Sequence, residues 1–130
     1  MVARKYLEKI YEHPEVDVSN LFGSDKSKKI LGVSYTTDKL HFHYFDKKFA
    51  DLQKYLEKQL PGLAVAIVDA SKDETKMLVR TYSDRTRGAF YFFDAKKRKL
   101  SKLDEVSPWL NAEQMAEMKY ISYKSRDGLT

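Results

Sequence analysis

The chain has 130 residues with 24 Lys or Arg, 19 Asp or Glu and a formal net charge of +5. Hydrophobic residues make up 42% and aromatic residues 13%, which is enough for one core and favours β-strands. The absence of cysteine excludes disulfide frameworks, thiolate metal sites and cysteine nucleophiles. No apolar run approaches the roughly 20 residues of a membrane span. The N-terminal residues are charged where a signal peptide needs an apolar stretch, so we expect a cytoplasmic protein.

A repeat organises most of the chain. After a segment at 4–12 that resembles an outer strand, residues 24–45 align with residues 71–93. The two copies are 47 residues apart at Ser24 and Ser71 and 48 apart at Asp46 and Asp94, which predicts one extra residue in the second hairpin turn. Periods of roughly 40–50 residues are typical of β-propeller blades.

Each copy predicts three strands separated by polar turns, at 15–22, 29–36 and 40–45 in the first copy and at 63–70, 76–83 and 89–93 in the second. A fourth strand is predicted at 99–106 after the second copy. The first copy instead continues into residues 47–60, where apolar residues at spacings of three and four predict a helix that Pro61 and Gly62 end. Asp46 and Asp94 are expected to bond to the backbone of turns.

The sequence therefore predicts a mainly β fold of about two antiparallel four-stranded β-propeller blades with one inserted helix. The partial propeller is expected over residues 1–106, with blade repeats at 15–60 and 63–106. Residues 107–130 form the tail, with a turn, a short helix at 112–118 and a strand from Tyr120 into a hairpin turn at Asp127 and Gly128.

The tail carries the more specific similarity to a known family. It reads PWL at 108–110, MK at 118–119 and ISYKSRDGL at 121–129, which resembles the junction between the propeller and the α/β-hydrolase domain in serine peptidases of the prolyl oligopeptidase family, especially the acylaminoacyl-peptidase-like branch. EHPEVDV at 12–18 and VSY at 33–35 resemble the last blades of that propeller.

The resemblance implies that this chain is the non-catalytic propeller part of such a peptidase. The catalytic serine, aspartate and histidine would then belong to the missing hydrolase domain, of which residues 107–130 supply the linker and first strand. The propeller would limit access to the active site, so that the intact enzyme acts only on short or acylated peptides.

No catalytic, cofactor or metal residue is expected within the chain, and no pair of its five glycines brackets a serine as Gly-x-Ser-x-Gly requires. His41 and His43 share a strand face and could hold a metal, but no further ligand is near them in sequence, so exposed or hydrogen-bonded histidines are expected. A set of five residues could face a substrate cavity or interface: Arg80, Arg85, Arg87, Trp109 and Arg126. For Trp109, packing between blade and tail is the preferred role.

Other functions remain open from the sequence alone. The chain could be a small stand-alone binding or interaction module, and two blades that do not close a ring should self-associate through exposed strand edges. The lysine clusters at 26–29 and 96–99 are expected to be solvated turns, so neither a nucleic-acid nor a membrane partner is predicted. An anion or nucleic-acid binder would instead show a steep dependence of affinity on salt.

Overall fold

The computed structural model describes residues 7–128 and shows a mainly β fold of two antiparallel sheets with one helix between them. Sheet 1 contains β1 (Val18–Gly23), β2 (Ile30–Thr36) and β3 (Leu40–Tyr44); α1 (Lys47–Gln59) follows; sheet 2 contains β4 (Ala64–Ala70), β5 (Lys76–Tyr82), β6 (Ala89–Asp94) and β7 (Lys99–Glu105). Strands neighbour one another in chain order, as in a propeller blade. The fold class is confirmed, with the difference that α1 takes the place of a fourth strand in the first repeat.

The strand register preserves the sequence repeat. Gly32 pairs with Tyr44 in sheet 1, and Val79 pairs with Tyr91 in sheet 2, each 47 residues later. The extra residue predicted in the second hairpin turn is therefore wrong. It falls after the paired residues instead, because the offset is still 47 between Tyr44 and Tyr91 and becomes 48 between Asp46 and Asp94.

Helix α1 begins and ends at residues suited to those positions. The side chain of Asp46 accepts a hydrogen bond from the backbone N–H of Phe49 at 3.1 Å, which is N-cap geometry. Lys58 lies in the last turn, where a positive charge interacts favourably with the helix dipole. After the C-cap at Leu60, Pro61 cannot continue the helix, and Gly62 adopts φ +76°.

The core lies where α1 meets both sheets. From the helix come Phe49, Leu56 and the C-cap Leu60; from the sheets come Leu31, Val65, Met77, Val79 and Phe93. Tyr44 stacks on Phe49 at a centroid distance of 6.3 Å, and Val79 packs in the same core. Because Gly32–Tyr44 and Val79–Tyr91 are equivalent pairs, equivalent faces of the two sheets turn towards the helix. Neighbouring blades of a propeller are related by rotation about one axis and stack front to back. In this chain, equivalent faces of the two sheets meet across α1 instead.

Two terminal predictions differ from the structure. Residues 7–12 form no strand, and the first three residues of the predicted outer strand, 4–6, lie outside the described part. In the tail, only Ala112–Gln114 is helical, as a single 3₁₀ turn, and residues 120–124 pair with no strand between residues 7 and 128. The turn before Gly128 does form, with its N–H donating to the carbonyl of Ser125 at 3.0 Å. Within residues 7–128 no helix is long and apolar enough to cross a membrane.

Candidate functional site

The first turns of the two repeats lie together at one end of the molecule. The hydroxyl of Ser24 donates to the carboxylate of Glu74, and Lys48 at the start of α1 lies 3.5 Å from the same carboxylate. The ammonium of Lys26 donates to the carbonyl of Asp73 at 3.3 Å. These contacts, which we call the turn clasp, were not predicted, although Ser24 and Ser71 mark both turns in the repeat.

Glu74 occupies its place in the clasp at a conformational cost. Its φ is +56°, in the left-handed region that residues other than Gly, Asn and Asp rarely adopt. Its carboxylate is mostly buried. The hydroxyls of Ser71 and Thr75 donate hydrogen bonds to the carboxylate of the neighbouring Asp73, and these bonds lower the pKa of Asp73. The same hydrogen bonds hold the turn in place.

A cavity of about 220 Å³ opens beside the turn clasp. Its lining includes the aromatic and aliphatic side chains of Phe22, Phe42, Tyr44, Phe49 and Ile67, together with Ser24 and Glu74 of the turn clasp. Burial raises the pKa of Tyr44 to about 12, with Glu57 as the smaller cause. The cavity is smaller than the roughly 300–1,000 Å³ usual for ligand pockets.

The turn between β5 and β6 holds the tail. The guanidinium of Arg85 donates to the carbonyls of Met115 at 3.2 Å and Glu113 at 3.5 Å. The carboxylate of Asp84 accepts from the backbone N–H of Met118 at 2.8 Å. We call this set the tail clamp. Arg85 was singled out from the sequence, whereas its carbonyl partners and the role of Asp84 were not.

Gly88 closes the same turn and allows no side chain. Its φ is +79°, and a Cβ at this position would lie 1.7 Å from the carbonyl oxygen of Thr81. The hydroxyl of Thr81 in turn accepts from the N–H of Ala89 at 3.1 Å, and the carbonyl of Gly88 accepts from Val106 at 2.9 Å. The turn that carries the tail clamp is thus tied to both neighbouring strands.

The outer face of sheet 1 carries a cluster of rings. Tyr35, His41, His43 and Phe45 come from β2, β3 and the residue after β3, and Tyr11 and His13 fold over them from the N-terminal segment. His41 Nε2 lies 3.3 Å from an oxygen of Asp38, and His13 Nδ1 accepts from the N–H of Glu15 at 3.2 Å. His41 and His43 therefore lie on one face, as predicted. Among residues 7–128, no group of three or more His, Cys, Asp or Glu is placed to hold a metal.

The outer face of sheet 2 is half-buried and largely apolar. Leu78 pairs with Phe92, and Arg80 pairs with Phe90. The guanidinium of Arg80 lies 5.6 Å from the centre of the Phe90 ring, within cation–π range. The Nε of Arg80 is buried and has no hydrogen-bond partner within residues 7–128. An unpaired buried donor is costly, so the cation–π contact of Arg80 with Phe90 and the packing of this face must offset that cost.

The five residues predicted to face a cavity or interface are not gathered into one site. Arg80 lies on the outer face of sheet 2, Arg85 and Arg87 lie in the β5–β6 turn, and Arg126 lies exposed in the turn before Gly128. Trp109 is 76% exposed, so its predicted packing between blade and tail is wrong. Across residues 7–128, no hydrogen bond, ion pair or ring contact joins any two of the five.

The turn predictions fared better. The lysines at 26–29 are exposed in or next to the β1–β2 turn, and those at 96–99 are exposed in or next to the β6–β7 turn, as expected. The carboxylate of Asp94 accepts from the N–H groups of Lys97 and Lys96, both at 3.0 Å, which lowers the pKa of Asp94.

Comparisons with protein-family models, curated proteins and solved structures found no match.

Proposed function

We propose that this chain is the non-catalytic β-propeller part of a serine peptidase of the prolyl oligopeptidase family. The observation that carries the proposal is the repeat: two meander sheets in chain order, with the same register 47 residues apart. The junction motif of the tail is the reason for naming the peptidase family. The tail clamp attaches this motif to sheet 2 through Arg85 and Asp84.

In the intact enzyme the chain would act by exclusion. A propeller beside the hydrolase domain admits short or acylated peptides and keeps folded proteins from the catalytic serine. The outer face of sheet 2 supports this role, because its half-buried rings, Phe90 and Phe92, are suited to packing against a neighbouring blade. Arg87 is exposed in the turn that carries the tail clamp and Arg126 is exposed in the turn before Gly128, and in the intact enzyme both would face the hydrolase domain or its substrate.

The proposal is tested in cells that make this chain. An antibody against the 15.2 kDa polypeptide should detect a much larger protein, and that protein should react with a fluorophosphonate probe for catalytic serines. The purified chain alone should leave acyl-peptide and ester substrates intact. A cellular species of about 15 kDa that the probe does not label would contradict the proposal, as would turnover by the purified chain.

A second candidate is a stand-alone interaction module, and one observation favours it. Helix α1 gives the two sheets a shared core, with Leu56 and Val79 fully buried, so the pair does not depend on a closed ring for its interior. Chemical unfolding of the purified chain separates the candidates: one cooperative transition with strong amide protection in both sheets supports the module, and a loosely protected sheet 1 argues against it.

A further inference from the structure

The two sheets have four edges, and three of them are protected. Helix α1 lies against β3 and β4, and the buried amide of Gln53 donates to the carbonyl of Val65 in β4 at 2.8 Å. The edge strand β7 carries charges along its length, at Lys99, Lys102, Asp104 and Glu105. Helix cover and charged side chains are the usual means by which proteins keep strand edges from pairing with other chains.

The edge of β1 has neither form of protection. No charged residue occurs in Val18–Gly23, and no residue from 7 to 128 outside β2 hydrogen-bonds to its backbone. The side chain of Leu21 is 61% exposed in the middle of the strand. Register shifts lie near both ends, so Asn20, Leu21 and Phe22 form the continuous stretch of β1, in which alternate residues turn their backbone N–H and C=O towards the outer side.

We propose that β1 pairs antiparallel with β1 of a second copy of this chain. A two-fold axis near Asn20 and Leu21 would join the two sheets into one six-stranded sheet. Such an isologous contact is closed, because each copy offers the same edge once. The outer face of sheet 1 would continue across the axis, since Leu21 pairs with Val33 on that face.

The charges on either side of β1 favour a second copy of this chain as the partner and favour antiparallel pairing of the two strands. Glu15 and Asp17 precede the strand, and Asp25, Lys26, Lys28 and Lys29 follow it with a net charge of +2, all of them exposed. Antiparallel pairing brings the acidic flank of one copy to the basic flank of the other, twice per dimer. Parallel pairing would bring like charges together, which disfavours it.

This pairing does not depend on the proposed function. A closed ring of blades would turn the β1 edge towards its central channel, so the proposal concerns the 130-residue chain on its own. If the dimer is not found in the test below, the peptidase proposal is unaffected. If the antibody experiment contradicts the peptidase proposal, the dimer proposal is unaffected.

The test compares two exposed leucines on edge strands. Leu21→Lys places a charge on the bare edge and should weaken the dimer, measured by sedimentation velocity across a concentration series, by about tenfold or more, which corresponds to about 1.4 kcal/mol. Leu103→Lys on β7, where the leucine is 58% exposed, should leave the dimer unchanged. A chain that stays monomeric throughout, or a dimer equally weakened by both variants, would overturn the proposal.

Two further measurements fix the geometry. Because the chain has no cysteine, Leu21→Cys should give a disulfide-linked dimer under oxidation, whereas Leu103→Cys should not. Asp17→Lys and the double variant Lys28→Glu/Lys29→Glu should each dimerise weakly alone and recover a stable heterodimer when mixed. Cross-linking only at position 103, or no recovery on mixing, would count against antiparallel β1 pairing.

Discussion

The hydroxyl of Ser24 donates a hydrogen bond to the carboxylate of Glu74, so the first turns of the two repeats are joined directly although 50 residues separate them. The same hydroxyl accepts from the N–H of Ser27 at 2.9 Å, which closes its own turn. Ser24 is buried and Lys48 reaches the same carboxylate from α1. Glu74 of the second repeat thus couples the first turn of sheet 1 and the start of α1 to sheet 2 at this end.

Removal of this hydroxyl should lower the stability of the whole chain. Ser24→Ala loses both hydrogen bonds and leaves the mostly buried carboxylate of Glu74 with only Lys48, so the free energy of unfolding in urea should fall by about 1–3 kcal/mol. Asp25→Ala, an exposed change in the same turn, is the control and should alter it by less than about 0.5 kcal/mol. Equal effects of the two variants would show that the turn clasp contributes nothing.

Gln53 offers a second test, at the centre of the core. Its amide nitrogen donates to the carbonyl of Val65 and to the carboxylate of Glu57, both at 2.8 Å. Gln53→Leu keeps a side chain of similar size but leaves the Val65 carbonyl unpaired, so unfolding free energy should fall by about 1–3 kcal/mol. Gln59→Leu, on the exposed side of the same helix, should have little effect on the urea midpoint.

The strands and the repeat could be predicted because their causes are local. Alternating and continuous apolar runs, Asp and Gly in turns, and the three-and-four spacing in α1 act over a few residues, and each of these elements forms near its expected bounds. Tyr120 to Lys124 also alternates, yet no strand forms there, because a strand needs a neighbour and none of residues 7–128 pairs with it.

The contacts that build the candidate sites have causes distant in sequence. The turn clasp joins Ser24 to Glu74, and the tail clamp joins Arg85 to Met115, across 50 and 30 residues. Nothing in either short segment specifies its partner. Charge and position in the sequence did single out Arg85. The exposure of Trp109, in contrast, depends on where the tail packs against sheet 2, and the residues around Trp109 do not specify that position.

Gly88 should be the most sensitive glycine of the chain. Gly88→Ala forces a Cβ to within 1.7 Å of the Thr81 carbonyl at a φ of +79°, so the hairpin must distort, and thermal unfolding should show a loss of about 2–4 kcal/mol. Gly62→Ala is the matched control: φ is +76° but nothing lies within 4 Å, so only the backbone cost of about 1 kcal/mol is expected. If Gly62→Ala proved as damaging as Gly88→Ala, the close approach to Thr81 would not be the cause.

Ionisation of Tyr44 should destabilise the fold at high pH. Burial raises its pKa from 10.0 to about 12, so the folded state favours the protonated phenol. The stabilisation is fully present below pH 10 and is lost as pH rises from 10 through about 12. Tyr44→Phe removes this titration, so the urea midpoint of the native chain should fall more steeply over that range than the midpoint of the variant. Parallel slopes would show that Tyr44 ionises alike in both states.

The tail clamp should hold the tail without stabilising the core. Arg85→Ala removes the donors to Met115 and Glu113, so the backbone N–H of Met118 should exchange with solvent several-fold faster by hydrogen–deuterium exchange. Anisotropy of Trp109, the single tryptophan, should fall with it. The urea midpoint should change little, because these contacts are exposed.

Arg87→Ala is the control for the clamp, since Arg87 lies exposed in the same turn and makes no contact with the tail among the described hydrogen bonds. It should leave both the exchange of Met118 and the anisotropy of Trp109 unchanged. Arg85→Lys should give an intermediate result, because a single ammonium cannot reproduce the fixed fork with which a guanidinium donates to two carbonyls. Equal exchange in all three variants and the native chain would show that Asp84 alone positions the tail, and the clamp would then reduce to its bond with Met118.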